Sequence, residues 1–238
     1  MDEPWKSDLD ELVEVLGIKS KPVAVTFTND EVEVAGGRKK MWMCGALKQA
    51  AKGKSYVIDR ETTQCPGGGW HCGLTPPPPG PAFRGLQWFL TRGEKLTHSI
   101  TSFHRMMNMG TPPPTGLSER ILFAPVSEAE LRPDLVVFLV NAEQACRIVT
   151  LDHYWDGIPL DIELTGSLCH AAIAYPIVTG RTNVTFGDWT ARRMQKFASD
   201  IVFVSVPYER VRNLAAAVPE CSAGSAELEI PEGFGPSR

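Results

Sequence analysis

Six cysteines, five histidines and one run of three glycines carry whatever chemistry this chain can do. Cys44 opens a stretch of helical spacing, and Cys65 precedes the segment CPGGGWHCG that Cys72-Gly73 closes. Cys169 follows Gly166-Ser167 at the start of a second helical stretch. A thiol at a helix N-terminus meets unpaired N–H groups and the positive end of the dipole, which favours the thiolate. Thiolates are the ligands of iron–sulfur clusters and of zinc, and glycines such as Gly67 and Gly68 let backbone approach a bound group closely. Free cysteines are also among the most buried of residues, so a core role competes with the ligand role at each position. Cys146, amid an apolar helix, and Cys221, in the tail, read as inert. His71 and His170 each adjoin a candidate cysteine and could ligate, move protons or merely cap. Arg192, after a strand, could grip a carboxylate.

Familiar local signatures are missing. The sequence has no G-x-S-x-G, no phosphate-binding G-x-x-x-x-G-K-[ST], no H-E-x-x-H and no C-x-x-C. Any site must therefore be assembled by the fold from distant positions. The elements available to do so are legible. Helices are expected from Ser7 to Leu16, Met43 to Lys52, Asn141 to about Leu151, Leu168 to Pro176, Thr190 to Ala198 and Tyr208 to Val218. Strands are expected at 21–28, 56–58, 121–126, 134–140, 160–164, 183–186 and 201–207, with 134–140 apolar enough to be central. The glycine triplet reads as a loop. Two proline tracts, 76–81 and 112–114, bracket a segment rich in aromatic residues and methionine, Met109 among them. That segment, about 76–115, reads as a helical flap with stiff proline elbows. Residues 219–238 read as a surface strap. The fold class expected is α/β or α+β, a mixed sheet flanked by helices in a single domain over 1–238.

Composition narrows the function classes. The chain has 238 residues, 43% hydrophobic and 22% charged, enough for a proper core. Its 24 Lys and Arg against 28 Asp and Glu give a net charge of −4 with no basic block, which points away from nucleic acid and anionic membrane partners. No run approaches the roughly 18–20 apolar residues of a membrane span. The acidic, amphipathic N-terminus lacks the features of a secretory signal, so a cytoplasmic protein with reduced thiols is expected. A small-molecule substrate is the expected partner, with a homo-oligomer left open.

Several segments together resemble domain-of-unknown-function family 169, a widespread prokaryotic group: KPVAVTF, then Cys44 with ALKQAAKG, then Cys65 with its glycines and Gly73-Leu74. PDLVVFLVNAEQACRIV, the Gly166-Ser-x-Cys169 step, NVTFG, Arg192 and VSVPYERV extend the likeness over nearly the whole chain. Members are similar to this chain in the cysteines at 44, 65 and 169, and often carry another cysteine where this chain has Asp188. The resemblance implies a four-iron cluster on Cys44, Cys65 and Cys169. Its fourth position would be open, or taken by Asp188 or Cys72; the aspartate could equally remove the site, and zinc is the alternative metal. An open iron implies an oxygen-sensitive lyase or hydrolytic elimination, with His71 or His170 moving protons and Arg192 anchoring an anion. The rival readings are a small-molecule binding or sensor protein, and a structural partner in a larger complex.

Overall fold

The computed structural model describes residues 4–108, 113–164 and 167–231. Gly166 and Met109, singled out above, lie outside them, as do parts of the second proline tract and of the strap. In chain order the elements are α1 (Pro4–Val15), β1 (Val23–Thr28), α2 (Met43–Ala50), β2 (Tyr56–Asp59), α3 (Pro66–His71), α4 (Gly80–Trp88) and α5 (Ile100–Met107). There follow β3 (Arg120–Pro125), β4 (Leu135–Val140), α6 (Ala142–Asp152), α7 (Tyr175–Thr179), β5 (Asn183–Thr185), α8 (Trp189–Gln195), β6 (Val202–Pro207) and α9 (Tyr208–Ala216). The strands form one sheet in the order β2-β3-β1-β4-β6-β5. Each of its ladders is antiparallel, so the class is α+β, and the sheet is not the mixed one expected.

Alternation along the strands sends side chains to two faces. Val136, Phe138 and Val140 of β4 and Val202, Val204 and Val206 of β6 point to one face, where α1, α6 and α9 supply Leu9, Leu12, Ile148, Val211 and Leu214. Leu135, Val137 and Leu139 point to the other, against Val25, Phe123, Phe203 and the α2 residues Met43, Ala46 and Leu47. Asn141 caps α6 as expected, in a reciprocal capping box with Gln144.

Three local expectations are corrected. The glycine triplet is not a loop but helix α3. Pro66 stands at its first position, and the Cys65 Sγ accepts the Gly68 N–H at 3.2 Å. Residues 160–164 pair with no strand among the described residues. Instead the Glu163 N–H donates to Asn183 Oδ1 (2.9 Å) and the Asn183 Nδ2 donates to Glu163 O (3.0 Å), so one side chain stands in for a ladder partner. The helix after Ser167 does not stop at Pro176. It widens at His170–Ala174, where bonds run to the fifth residue, and continues into α7. The Ala171 carbonyl, facing a proline without an N–H, accepts from Asn183 Nδ2 at 2.7 Å.

The aromatic segment leaves and returns at one point. The Gly116 N–H donates to Gly73 O (2.9 Å), and Gly73 has φ +73°, with Pro114 O only 2.9 Å from where a Cβ would stand. Between these feet, α4 and α5 pack a small core of their own around Leu90, Phe103 and Met107. Its far end is tied back to α8: the half-exposed Arg193 guanidinium pairs with the buried Glu94 carboxylate, which also accepts from the Thr190 hydroxyl.

Candidate thiol site and cavity

Four helix starts meet on one side of the sheet. Cys44 is the second residue of α2, Cys65 the N-cap of α3, Cys169 lies one residue into the helix beginning at Leu168, and Asp188 is the N-cap of α8. The Asp188 carboxylate joins two of these starts. Its Oδ1 accepts the Ala191 N–H and its Oδ2 the Leu168 N–H, both at 2.7 Å. Cys72 and the backbone N–H of Cys44 adjoin the Cys169 thiol. Gly68 is wedged among them: a Cβ there would stand 3.2 Å from Met43 Cγ and 3.3 Å from Cys169 Sγ. Gly67 leaves the Cys65 sulfur open, a Cβ there reaching only to 4.0 Å from it.

Cys44, Cys65 and Cys169, with Gly67, Gly68, His71, Ser167 and Asp188, form the floor of a cavity of about 540 Å³ between the sheet side and the aromatic segment. Cys72 is wholly buried behind Cys169. Cys146 is exposed and Cys221 is buried in the opposite core, so neither joins the site.

The thiols do not have the lowered pKa that their helix starts led us to expect. Burial pushes Cys65 up to about 12, with Cys169 and Asp188 adding to the rise. Burial, then Cys169, Cys65 and Asp188, pushes Cys44 higher still. Cys169 is raised by the adjoining Cys72 and by burial. Asp188 is itself raised by burial. Desolvation and mutual repulsion outweigh the helix ends here, because no cation lies among the groups.

His71 is 6% exposed, and its Nδ1 lies 3.1 Å from the Ser167 hydroxyl. Burial and the neighbouring His170 push it down to about 4. His170 packs edge-on at 5.7 Å between ring centroids, is lowered by burial, and has neither ring nitrogen bonded among the described residues. Arg192 is placed elsewhere than the anion-anchoring role expected of it. Its guanidinium donates to four carbonyls, those of Phe186 (2.8 Å), Ile201 (2.9 Å), Ala198 (2.5 Å) and Ser199 (3.1 Å), and so pins the turn between α8 and β6. Sequence reasoning passed over Ser167 as a partner for His71, and over Glu94. Ser167 stood beside Cys169 in plain view, whereas Glu94 had no local signal.

Residues 11–217 match the family model DUF169, described as an uncharacterised ArCR family. The chain belongs to domain-of-unknown-function family 169. The match spans both faces of the sheet and the whole cavity floor. Over 99 residues the chain is also 27% identical to the Uncharacterized protein MJ0308 of Methanocaldococcus jannaschii, a stretch covering 41% of this chain and 42% of that protein. No solved structure matches. Among the described residues, no helix is long and apolar enough to cross a membrane, and no three His, Cys, Asp or Glu side chains converge on a point that would hold one metal ion.

Proposed function

We propose that this protein holds an iron–sulfur cluster, most simply of the four-iron type, on Cys44, Cys65 and Cys169, and acts on a small molecule bound in the adjoining cavity. The observation that carries the reading is the gathering of these three thiols, from three separate helix starts, at the floor of that cavity. The donor set suits such a group in two further respects. Three thiols and a carboxylate packed without a cation are raised by burial and by one another, and a cationic core would reverse that balance. Gly68, lacking a Cβ that would stand 3.3 Å from Cys169 Sγ, lets α3 bring Cys65 up beside the other two thiols.

An iron not ligated by protein would act as a Lewis acid toward a substrate oxygen, sulfur or halide. The chain's own residues have separable tasks. Asp188, held by two backbone N–H groups, locks the Cys169 helix to α8 and fixes the floor. His71, neutral at pH 7 because its pKa is near 4, can accept a proton rather than donate one, and Ser167 at its Nδ1 holds the ring in place. Residues 82–107 supply an apolar wall of the cavity, which would limit water beside a bound substrate. Such a site is oxygen-sensitive and suited to a reducing compartment, and we take the reaction to be a lyase or hydrolytic elimination in the cytoplasm.

The test is anaerobic purification followed by a visible spectrum and quantification of iron, zinc and acid-labile sulfide. Iron and sulfide with broad absorption near roughly 400 nm, lost in Cys44→Ala, Cys65→Ala or Cys169→Ala, is the expected result. Zinc without sulfide, or a folded, colourless, metal-free protein that takes up no iron and sulfide on reconstitution, would overturn it.

A further inference from the structure

The cavity wall specifies its occupant more closely than the thiols do. Its sides are mostly apolar, with Trp42, Leu86, Phe89, Leu90, Met107 and Met194; Gln64 and Thr190 add polar side chains, the Thr190 hydroxyl being already bonded to Glu94. Among the described residues no lysine or arginine lines it. Of the cations beside lining residues in the chain, Arg192 is committed to four carbonyls and Arg193 to Glu94, while Arg84, Lys95 and Arg105 are not among the residues that line the cavity. Lys48, on α2, donates to the carbonyls of Gln195 and Lys196. A carboxylate or phosphate entering would be desolvated beside Asp188 with no side-chain cation to offset its charge. An ammonium would share Asp188 with the backbone N–H groups that its two oxygens accept at 2.7 Å and leave its other donors unmet against the apolar wall. What the floor does offer is a short polar edge, the His71–Ser167 pair.

We propose that the ligand is an uncharged molecule with a ring-sized apolar body and one hydroxyl, carbonyl or comparable polar group directed at the His71–Ser167 edge. This rests on the cavity being the functional site, and it names the substrate class that site takes. His71 supplies the probe of that edge: Phe in its place keeps a ring in the wall and removes the contact with the Ser167 hydroxyl.

Three probes of one shape separate the charge types: 2-naphthalenemethanol, 2-naphthoate and 2-naphthylmethylammonium, titrated calorimetrically into the full-length protein as purified, with and without iron. The neutral alcohol is expected to bind about 30-fold or more tightly than either ion, a margin in keeping with burying an unpaired charge. His71→Phe is expected to weaken the alcohol by about tenfold or more, while 2-methylnaphthalene, the same body without the polar group, binds as it does to the wild type. Equal or tighter binding of the carboxylate or the ammonium, no binding of any probe, or alcohol binding unchanged in His71→Phe overturns the proposal. The iron analysis is read separately. Absent iron and sulfide with the charge ranking intact sinks only the cluster, and a failed ranking in iron-loaded protein sinks only this ligand class.

Discussion

The two faces of the sheet are made from the same strands and put to opposite uses. On the face covered by α1, α6 and α9, strand residues such as Val136, Phe138 and Val204 are wholly buried, and the helices present leucine, isoleucine and valine to them. On the other face the neighbouring strand residues, Leu135, Val137 and Phe203, are just as buried. The layer above them, however, is built from helix starts, glycines and thiols, and it ends in a cavity rather than in more packing. Both faces bury comparable apolar layers, but only the second also carries groups that stability alone would not choose. The buried thiols of Cys44 and Cys169, the half-buried thiol of Cys65, two buried histidines of lowered pKa and a carboxylate raised by burial are such groups.

The contrast can be broken most directly by truncation. Phe138→Ala, on the closed face, is expected to lower unfolding free energy by about 3–5 kcal/mol in urea titrations. Cys169→Ser, on the open face, should cost the metal-free protein only about 1 kcal/mol. Similar losses at both positions would mean that the thiol layer is ordinary core.

Acid supplies a second probe, again specific to the open face. The folded protein protonates His71 near pH 4, while the unfolded chain does so near its ordinary 6.5. Between these values the unfolded state binds more protons. Stability held above pH 6.5 is therefore lost as pH falls toward 4, by about 3 kcal/mol for this one group. Comparing wild-type with His71→Phe in metal-free unfolding titrations between pH 7 and 4 isolates the term. The variant should show the shallower decline, and equal slopes would remove His71 as its source.

A smaller effect sharpens the boundary between site and scaffold. Arg192→Met removes four bonds to carbonyls and should destabilise by about 2 kcal/mol. It should leave the ranking of neutral over charged naphthyl probes unchanged. A change in that ranking would return the arginine to the site.

How far the sequence could be read follows the same division. Val202–Pro207 and Leu135–Val140 were legible as short unbroken apolar runs rich in β-branched residues, and the Asn141 cap as a residue type favoured at helix starts, all of them local signals. The glycine triplet was misread as a loop because glycine is a poor helix former. Only contacts with Met43, Cys169 and Thr63 make its small size an advantage in α3. Residues 160–164 have strand composition, but a ladder needs a neighbour, and Asn183 supplied one side chain instead.

The sequence by itself determined the strands, most of the helices and the types of residue available for chemistry, since these depend on neighbours a few positions apart. Tertiary structure decided which of those residues meet. It brought Cys44, Cys65 and Cys169 together across 125 positions of chain and turned Arg192 onto backbone carbonyls. It also buried the thiols deeply enough that desolvation overrides the helix ends. Proximity and burial are properties of the assembled fold, and spacing along the chain does not encode them.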